Sequence, residues 1–174
     1  MADYLQVPGA QVTPAERQFI HDLAAQYNRP DAVLVNIGIM WGCTLWCLRA
    51  GAPAARLYGV DIAPDVYPIA DRANLRAEII KANSHNLEFG SLIDVLLIDG
   101  DHHYASVAAD IDNWLGRVRI GGTVIFHDYT PTQHNLDMFP HLEGVRRAVD
   151  ELCEREPHWK ALTAPDSLKV LQWR

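Results

Sequence analysis

The chemistry in this sequence concentrates where two apolar runs end. Leu96, Leu97 and Ile98 lead into Asp99, Gly100, Asp101, His102 and His103, and Val124, Ile125 and Phe126 lead into His127, Asp128 and Tyr129. Carboxylates and imidazoles at that density can ligate a divalent ion or act as acid and base near neutral pH. Asp99, His127 and Asp128 could place two or three oxygen and nitrogen donors on one side of an ion. Carboxylates with open positions suit Mg2+, and Mn2+ better tolerates the imidazole; zinc is less natural without a cysteine. His102 and His103 are adjacent and cannot point the same way. One of them facing the carboxylates is a candidate general base, or else a plain polar residue that opens the next helix.

Two further groups could bind a ligand. Gly38 and Gly42 bracket a Gly-x-x-x-Gly turn after the apolar run Val33–Ile37, which holds Asn36. Glycines there permit a tight turn and close backbone approach to a ligand, though the spacing is not the Gly-x-Gly-x-x-Gly of dinucleotide folds. Trp41, inside the turn, either covers a ligand or packs. Asp61 ends the run RLYGVD and could accept both hydroxyls of a ribose, or cap a turn. Asn83, Ser84 and His85 follow RAEIIKA.

These residues need a scaffold that gathers them. Thr13-Pro14-Ala15-Glu16 is a capping box with proline at the first helical position, and Phe19, Ile20, Leu23 and Ala24 recur at helical spacing, so a helix is expected over 14–27. AVLVNIG, RLYGVDI, RAEIIKA, LIDVLLIDGD and GGTVIFHD read as strands, the last entered through two glycines. Between them, CTLWCLRAG is a helix closed by Gly51, and YASVAADIDNWLGRV a helix with Val107, Ile111, Leu115 and Val118 on one stripe. LEGVRRAVDELCE is another helix, and WKALTA and LKVLQW form a closing hairpin. Residues 129–141 are the longest irregular segment. Strands alternating with helices give an α/β fold with a mostly parallel sheet. In such a sheet ligands bind beyond the carboxyl ends of the strands, and every candidate residue lies at such an end.

The composition is that of an ordinary globular chain of 174 residues, 49% apolar and 21% charged, long enough for one domain over 1–174 with 1–30 as a helical extension. A net charge of -7 argues against a nucleic-acid partner, and no apolar run has the length of a membrane span. Three cysteines and the lack of a secretory leader point to a reducing, cytoplasmic setting. Cys43 and Cys47 are expected to be buried helix residues rather than ligands.

The order NIGIMWGCTL, GVDI and VLLIDGDHHYASVAADIDNWLGRVRIGGTVIFHD resembles the class I S-adenosylmethionine-dependent methyltransferases. It is most similar to their small-molecule O-methyltransferase branch, which includes the macrocin and rhamnosyl O-methyltransferases. The resemblance implies a Rossmann-like, seven-stranded sheet with a C-terminal antiparallel hairpin and helices on both faces. It implies S-adenosylmethionine as cofactor, held by Asn36, Gly38, Trp41, Gly42, Asp61, Asn83, Ser84 and Asp99, with Thr44 at the family's usual Ser/Thr place. It also implies Mg2+ or Mn2+ on Asp99, His127 and Asp128, His102 as catalytic base, and a small-molecule acceptor; a homodimer is compatible with it. The sequence departs from the family at Asn36 and Asn83, where carboxylates are common, and at His127. Two rival readings stay open: a metal-dependent hydrolase built on the Asp/His cluster, and a methyltransferase-fold subunit that binds without catalysis.

Overall fold

A computed structural model describes residues 11–69 and 72–174. Seven strands form one sheet: Val33–Ile37 (β1), Arg56–Asp61 (β2), Ala77–Lys81 (β3), Ile93–Ile98 (β4), Val118–Phe126 (β5), Trp159–Leu162 (β6) and Lys169–Trp173 (β7). Their order is β3-β2-β1-β4-β5-β7-β6. The first five pair in parallel, and β7 runs antiparallel to both β5 and β6. The chain winds outward from β1 to β3, then returns to place β4 on the other side of β1. That reversal opens a crevice at the carboxyl ends of β1 and β4, where an open α/β sheet binds its ligands.

Among the described residues the α-helices are Pro14–Ala25 (α1), Cys43–Gly51 (α2), Arg72–Leu75 (α3), Tyr104–Trp114 (α4), Gln133–Met138 (α5) and Glu143–Arg155 (α6). They cover both sheet faces, which is why β1 and β4 are buried along their whole length. Strand alternation divides the core. Leu34 and Leu97 pack towards Ile20, Trp46 and Leu48 of α1 and α2, while Val35 and Leu96 pack towards Ile111, Trp114 and Val149 of α4 and α6. At the far end of β4, buried Asp94 accepts from the Val33 amide (2.8 Å) and pairs with Arg29 and Arg119.

Three local expectations are revised. Gly51 is the last residue of α2 rather than its cap. A Cβ on it would lie 2.2 Å from the His21 carbonyl oxygen, so its use is to let α1 and α2 touch. Strand β5 starts ahead of its two glycines, at Val118. The pairing slips between Ile93–Val118 and Val95–Thr123, and Gly121 with φ 82° lies in the irregularity. The segment 129–141 is not irregular throughout: Thr132 accepts from the Asn135 amide (3.2 Å) and caps α5. Cys43 and Cys47 are buried on α2, as expected. Among the described residues, no helix is long and apolar enough to cross a membrane.

Candidate active site

A cavity of about 910 Å³ lies over the carboxyl ends of the parallel strands. Its floor depends on Gly38. With φ 78°, and with a Cβ placed 2.1 Å from the Asp99 carbonyl oxygen, this position admits only glycine, so the turn after β1 and the end of β4 meet backbone to backbone. Gly42 (φ 80°) sends the chain into α2 but does not line the cavity. Asn36 is fully buried beneath the turn. Its amide donates to the Gly38 carbonyl (2.8 Å) and its oxygen accepts from the Thr44 hydroxyl. It shapes the turn from below, while Thr44 and Trp41 reach the cavity wall.

Asp61 faces the cavity with its carboxylate already oriented, accepting from the amides of Ile39 (2.8 Å) and Ala63 (2.7 Å). Each oxygen retains acceptor capacity. Asn83 and Ser84 line the same wall; the Asn83 side chain accepts from the His85 amide, and the Ser84 carbonyl accepts from Asn113 and the Trp114 indole.

The ends of β4 and β5 bring four side chains together. Asp99, His102, His127 and Asp128 each offer a ligand atom, all within 4.8 Å of one another. His127 Nδ1 stands 3.2 Å from Asp99 Oδ1 and 3.2 Å from Asp128 Oδ2; His102 Nε2 stands 3.6 Å and 3.3 Å from the same two oxygens. Neither nitrogen has a hydrogen-bond partner, although both atoms are buried. Separations of 3.2–3.6 Å are what neighbouring donors share around an ion bound at about 2.0–2.3 Å. The donor set therefore fits a divalent cation. Asp128 adopts φ 55°, a left-handed conformation that costs a non-glycine residue about 1–3 kcal/mol and recurs at functional sites. His103 turns away and pairs with Asp101 (2.6 Å) at the start of α4.

Burial pushes the Asp99 carboxyl up, but the imidazoles of His127 and His102 outweigh it and hold it well below its usual range. Burial lowers the two imidazoles in turn, and the facing carboxylates raise both, His127 the more.

Two carboxylates of this site, Glu16 and Asp110, escaped the sequence reading. Glu16, on α1, sits behind the four side chains: its Oε2 is 3.5 Å from His127 Nε2, and its Oε1 accepts from the Ser167 amide (2.9 Å) and hydroxyl. Burial raises its carboxyl, yet His127, Ser167 and Thr13 bring it down to about 2. Asp110, on α4, lines the cavity with a buried oxygen that lacks a partner. Phe139 and His141, in the long segment 129–141 that the sequence singled out, and Leu142 also line the cavity. A signal existed for Asp110, a carboxylate on the stripe Val107, Ile111, Trp114. Glu16 gave none beyond its capping role.

A family model described as a methyltransferase domain matches residues 35–129, which run from β1 through the residue after Asp128. An uncharacterized protein of Acanthamoeba polyphaga mimivirus is 24% identical over 145 residues, covering 72% of this chain and 64% of its own. The chain thus spans less than two thirds of that relative. Among solved structures, an O-methyltransferase from Bacillus cereus in complex with S-adenosylhomocysteine superposes with a TM-score of 0.69 at 20% identity, over 95% of this chain and 84% of that one. MycE, a methyltransferase of the mycinamycin biosynthetic pathway in complex with Mg and S-adenosylhomocysteine, gives 0.65 at 16% identity, over 98% and 52%. At such identities the likeness shows the fold, a Rossmann-like methyltransferase sheet.

Proposed function

Because the chain belongs to the methyltransferase-domain family, we propose that it transfers the methyl group of S-adenosylmethionine to a hydroxyl of a small molecule. The observation that carries this reading is the meeting of two sites in one cavity. A glycine turn with Asp61 lies on one side and the Asp99, His102, His127, Asp128 group on the other. A pocket for one drug-sized ligand spans roughly 300–1,000 Å³, so about 910 Å³ is ample for a cofactor with an acceptor beside it. A hydrolase needs only the second group and leaves the glycine turn and Asp61 without a use.

In this reading Gly38 gives the cofactor close access to backbone, Asp61 accepts from its ribose hydroxyls, and Asn83 and Ser84 lie towards its base. Asn36 acts from beneath, through Thr44 and the Gly38 carbonyl. Asp99, His127 and Asp128 hold Mg2+ or Mn2+, and the two-carboxylate, nitrogen-containing donor set favours Mn2+. Such an ion supplies positive charge that lowers the pKa of the acceptor hydroxyl. The hydroxyl oxygen bonds to the methyl carbon as the carbon–sulfur bond breaks, S-adenosylhomocysteine leaves, and the hydroxyl proton passes to His102 Nε2. The turn and strand ends fix the line of attack, which is where much of the rate gain in a two-substrate transfer arises.

The walls also bear on the acceptor. Asp61, Asp99, Asp101, Asp110 and Asp128 line the cavity and no lysine or arginine does, among the described residues. Residues 1–10, 70 and 71 contain none in sequence either. With Asp99 and Asp128 given to the cation, Asp61, Asp101 and Asp110 still set a negative field against a phosphorylated or carboxylate-bearing acceptor, so the acceptor is neutral or cationic. Met40 and Phe139, exposed and lining the cavity, offer it apolar surface. Calorimetry with S-adenosylhomocysteine and with Mn2+ tests the reading: both should bind, and no heat from the former at millimolar concentration overturns it.

A further inference from the structure

Strand β5 ends at Phe126, and the His127 amide still donates to the Ile98 carbonyl (3.1 Å) as a strand residue would. The next three amides all turn to one residue, Ser167, between β6 and β7. The Asp128 amide donates to the Ser167 hydroxyl oxygen (3.3 Å), and the amides of Tyr129 (2.9 Å) and Thr130 (3.2 Å) donate to its carbonyl. The hydroxyl in turn donates to Glu16 Oε1, which also accepts from the Ser167 amide (2.9 Å). A serine 39 residues beyond Asp128 thus takes up the chain where it leaves the sheet.

A hydroxyl has one proton and two lone pairs, so the Ser167 oxygen donates to Glu16 and accepts from Asp128 at the same time. Donating to a carboxylate polarises it and makes it a better acceptor. Both ends of this link lie at the group of four side chains. Glu16 Oε2 stands 3.5 Å from His127 Nε2, and Asp128 Oδ2 stands 3.2 Å from His127 Nδ1. The left-handed backbone of Asp128 (φ 55°) persists only where its surroundings hold it, and the Ser167 oxygen holds its amide. The turn that carries Ser167 is itself anchored. Asp166, also at positive φ (48°), accepts from the hydroxyl of Thr13, which opens the capping box that contains Glu16.

We infer that Ser167 is a positioning residue for the cation: its hydroxyl joins Glu16, behind His127, to the backbone of Asp128, and so fixes the two ligands at the end of β5 relative to each other. This assignment rests on the reading of Asp99, His127 and Asp128 as cation ligands. Only the side-chain oxygen is at issue. Ser167→Ala keeps the carbonyl that holds Tyr129 and Thr130 and the amide that meets Glu16. It removes the one atom that stands between Glu16 and Asp128.

The experiment is titration calorimetry of the full chain with Mn2+ and, separately, with S-adenosylhomocysteine. Ser167→Ala should bind Mn2+ roughly 10–100-fold more weakly than wild type, the usual effect of removing a partner behind the ligands, and S-adenosylhomocysteine equally well. Asp94→Ala, which loses buried contacts at the far end of β4, is the control for general stability and should bind Mn2+ as wild type does. Thermal melts show which variants fold. If Ser167→Ala does not, Ser167→Cys keeps the shape with a weaker donor and acceptor and should show the same loss. Unchanged Mn2+ affinity in the folded Ser167 variant, or an equal loss in Asp94→Ala, overturns the assignment. So does a parallel loss of S-adenosylhomocysteine affinity, which a general loosening of the fold would produce. A wild type that binds S-adenosylhomocysteine but not Mn2+ overturns the cation reading and this assignment together, and leaves methyl transfer standing. A folded wild type that binds neither overturns the methyltransferase reading as well.

Discussion

Glu16 Oε2 and His127 Nε2 face each other at 3.5 Å, on the side of the imidazole away from Asp99 and Asp128. The glutamate is fixed in turn by Thr13, whose amide donates to it at 2.8 Å, and by Ser167. A carboxylate behind a ligand histidine orients the ring and strengthens its other nitrogen as a donor. Glu16→Gln keeps the shape and loses the charge. It should weaken Mn2+ binding roughly 10–100-fold, the usual effect of removing such a partner, with S-adenosylhomocysteine affinity unchanged. Calorimetric titration with Mn2+ checks this; equal Mn2+ affinity in the two proteins would mean that Glu16 serves only the fold.

The same residue links stability to acid. His127, Ser167 and the Thr13 amide outweigh its burial and hold its carboxyl at about 2 in the folded chain, below the 4.5 of a free glutamate. A depressed carboxyl stabilises the fold fully above its unfolded pKa, and that contribution drains away as pH falls through the folded value. The window therefore runs from about 4.5 down to about 2. Urea unfolding at pH 7 should show Glu16→Gln less stable than wild type by about 1–3 kcal/mol. The gap should narrow steadily below pH 4.5. A gap that stays constant to pH 2.5 would contradict the linkage.

His102 closes the ring of four side chains, and its two candidate roles separate under one substitution. As the proton acceptor, it should be dispensable for binding. His102→Ala should then lower turnover by about 10²–10⁴-fold while Mn2+ and S-adenosylhomocysteine bind as in wild type. A parallel loss of Mn2+ affinity would instead make His102 a fourth ligand.

The parts legible in sequence were those governed by local pattern. The capping box at Thr13 and the unbroken apolar runs at Val33 and Leu96 named their own elements, and their order implied which strand ends would converge. Asp99, His127 and Asp128 stood out this way, because they lie within two residues of the end of a buried strand. Glu16 was visible only as a helix cap. Its second contact comes from α1 lying across the ends of β5 and the β6–β7 hairpin, a tertiary fact with no periodic trace. Asn36 looked like a ligand-facing residue, since a polar side chain beside a glycine turn usually is. Strand alternation turns it inward, where Thr44 meets it. The helix α5 was hidden by the prolines and polar residues around it, which mask a cap as short as Thr132.

The far end of β4 offers a control that separates fold from chemistry. Asp94 holds Val33, Arg29 and Arg119 at the amino end of the strand whose other end delivers Asp99. Arg29 and Arg119 are partly exposed and water takes them up, so the main loss on removing Asp94 is the acceptor of the buried Val33 amide, about 1–3 kcal/mol. Asp94→Ala should lower the urea midpoint accordingly, without changing S-adenosylhomocysteine affinity at temperatures where the protein remains folded. Loss of that affinity in a folded variant would show that strain travels along β4 to the site.

The charge of the cavity predicts which acceptors react. Three catechols of similar size serve as probes, one bearing an ammonium group, one neutral and one bearing a carboxylate. With Asp99 and Asp128 given to the cation, Asp61, Asp101 and Asp110 remain on the wall to repel the last, and no lysine or arginine among the described lining residues offsets them. Mass spectrometry of product formed with S-adenosylmethionine should rank the ammonium and neutral catechols above the carboxylate by tenfold or more in kcat/KM, equal to about 1.4 kcal/mol in transition-state binding. Raising the salt concentration should shrink the difference, because screening weakens an electrostatic preference and leaves a steric one untouched. A carboxylate catechol that reacts fastest would refute the assignment of a neutral or cationic acceptor.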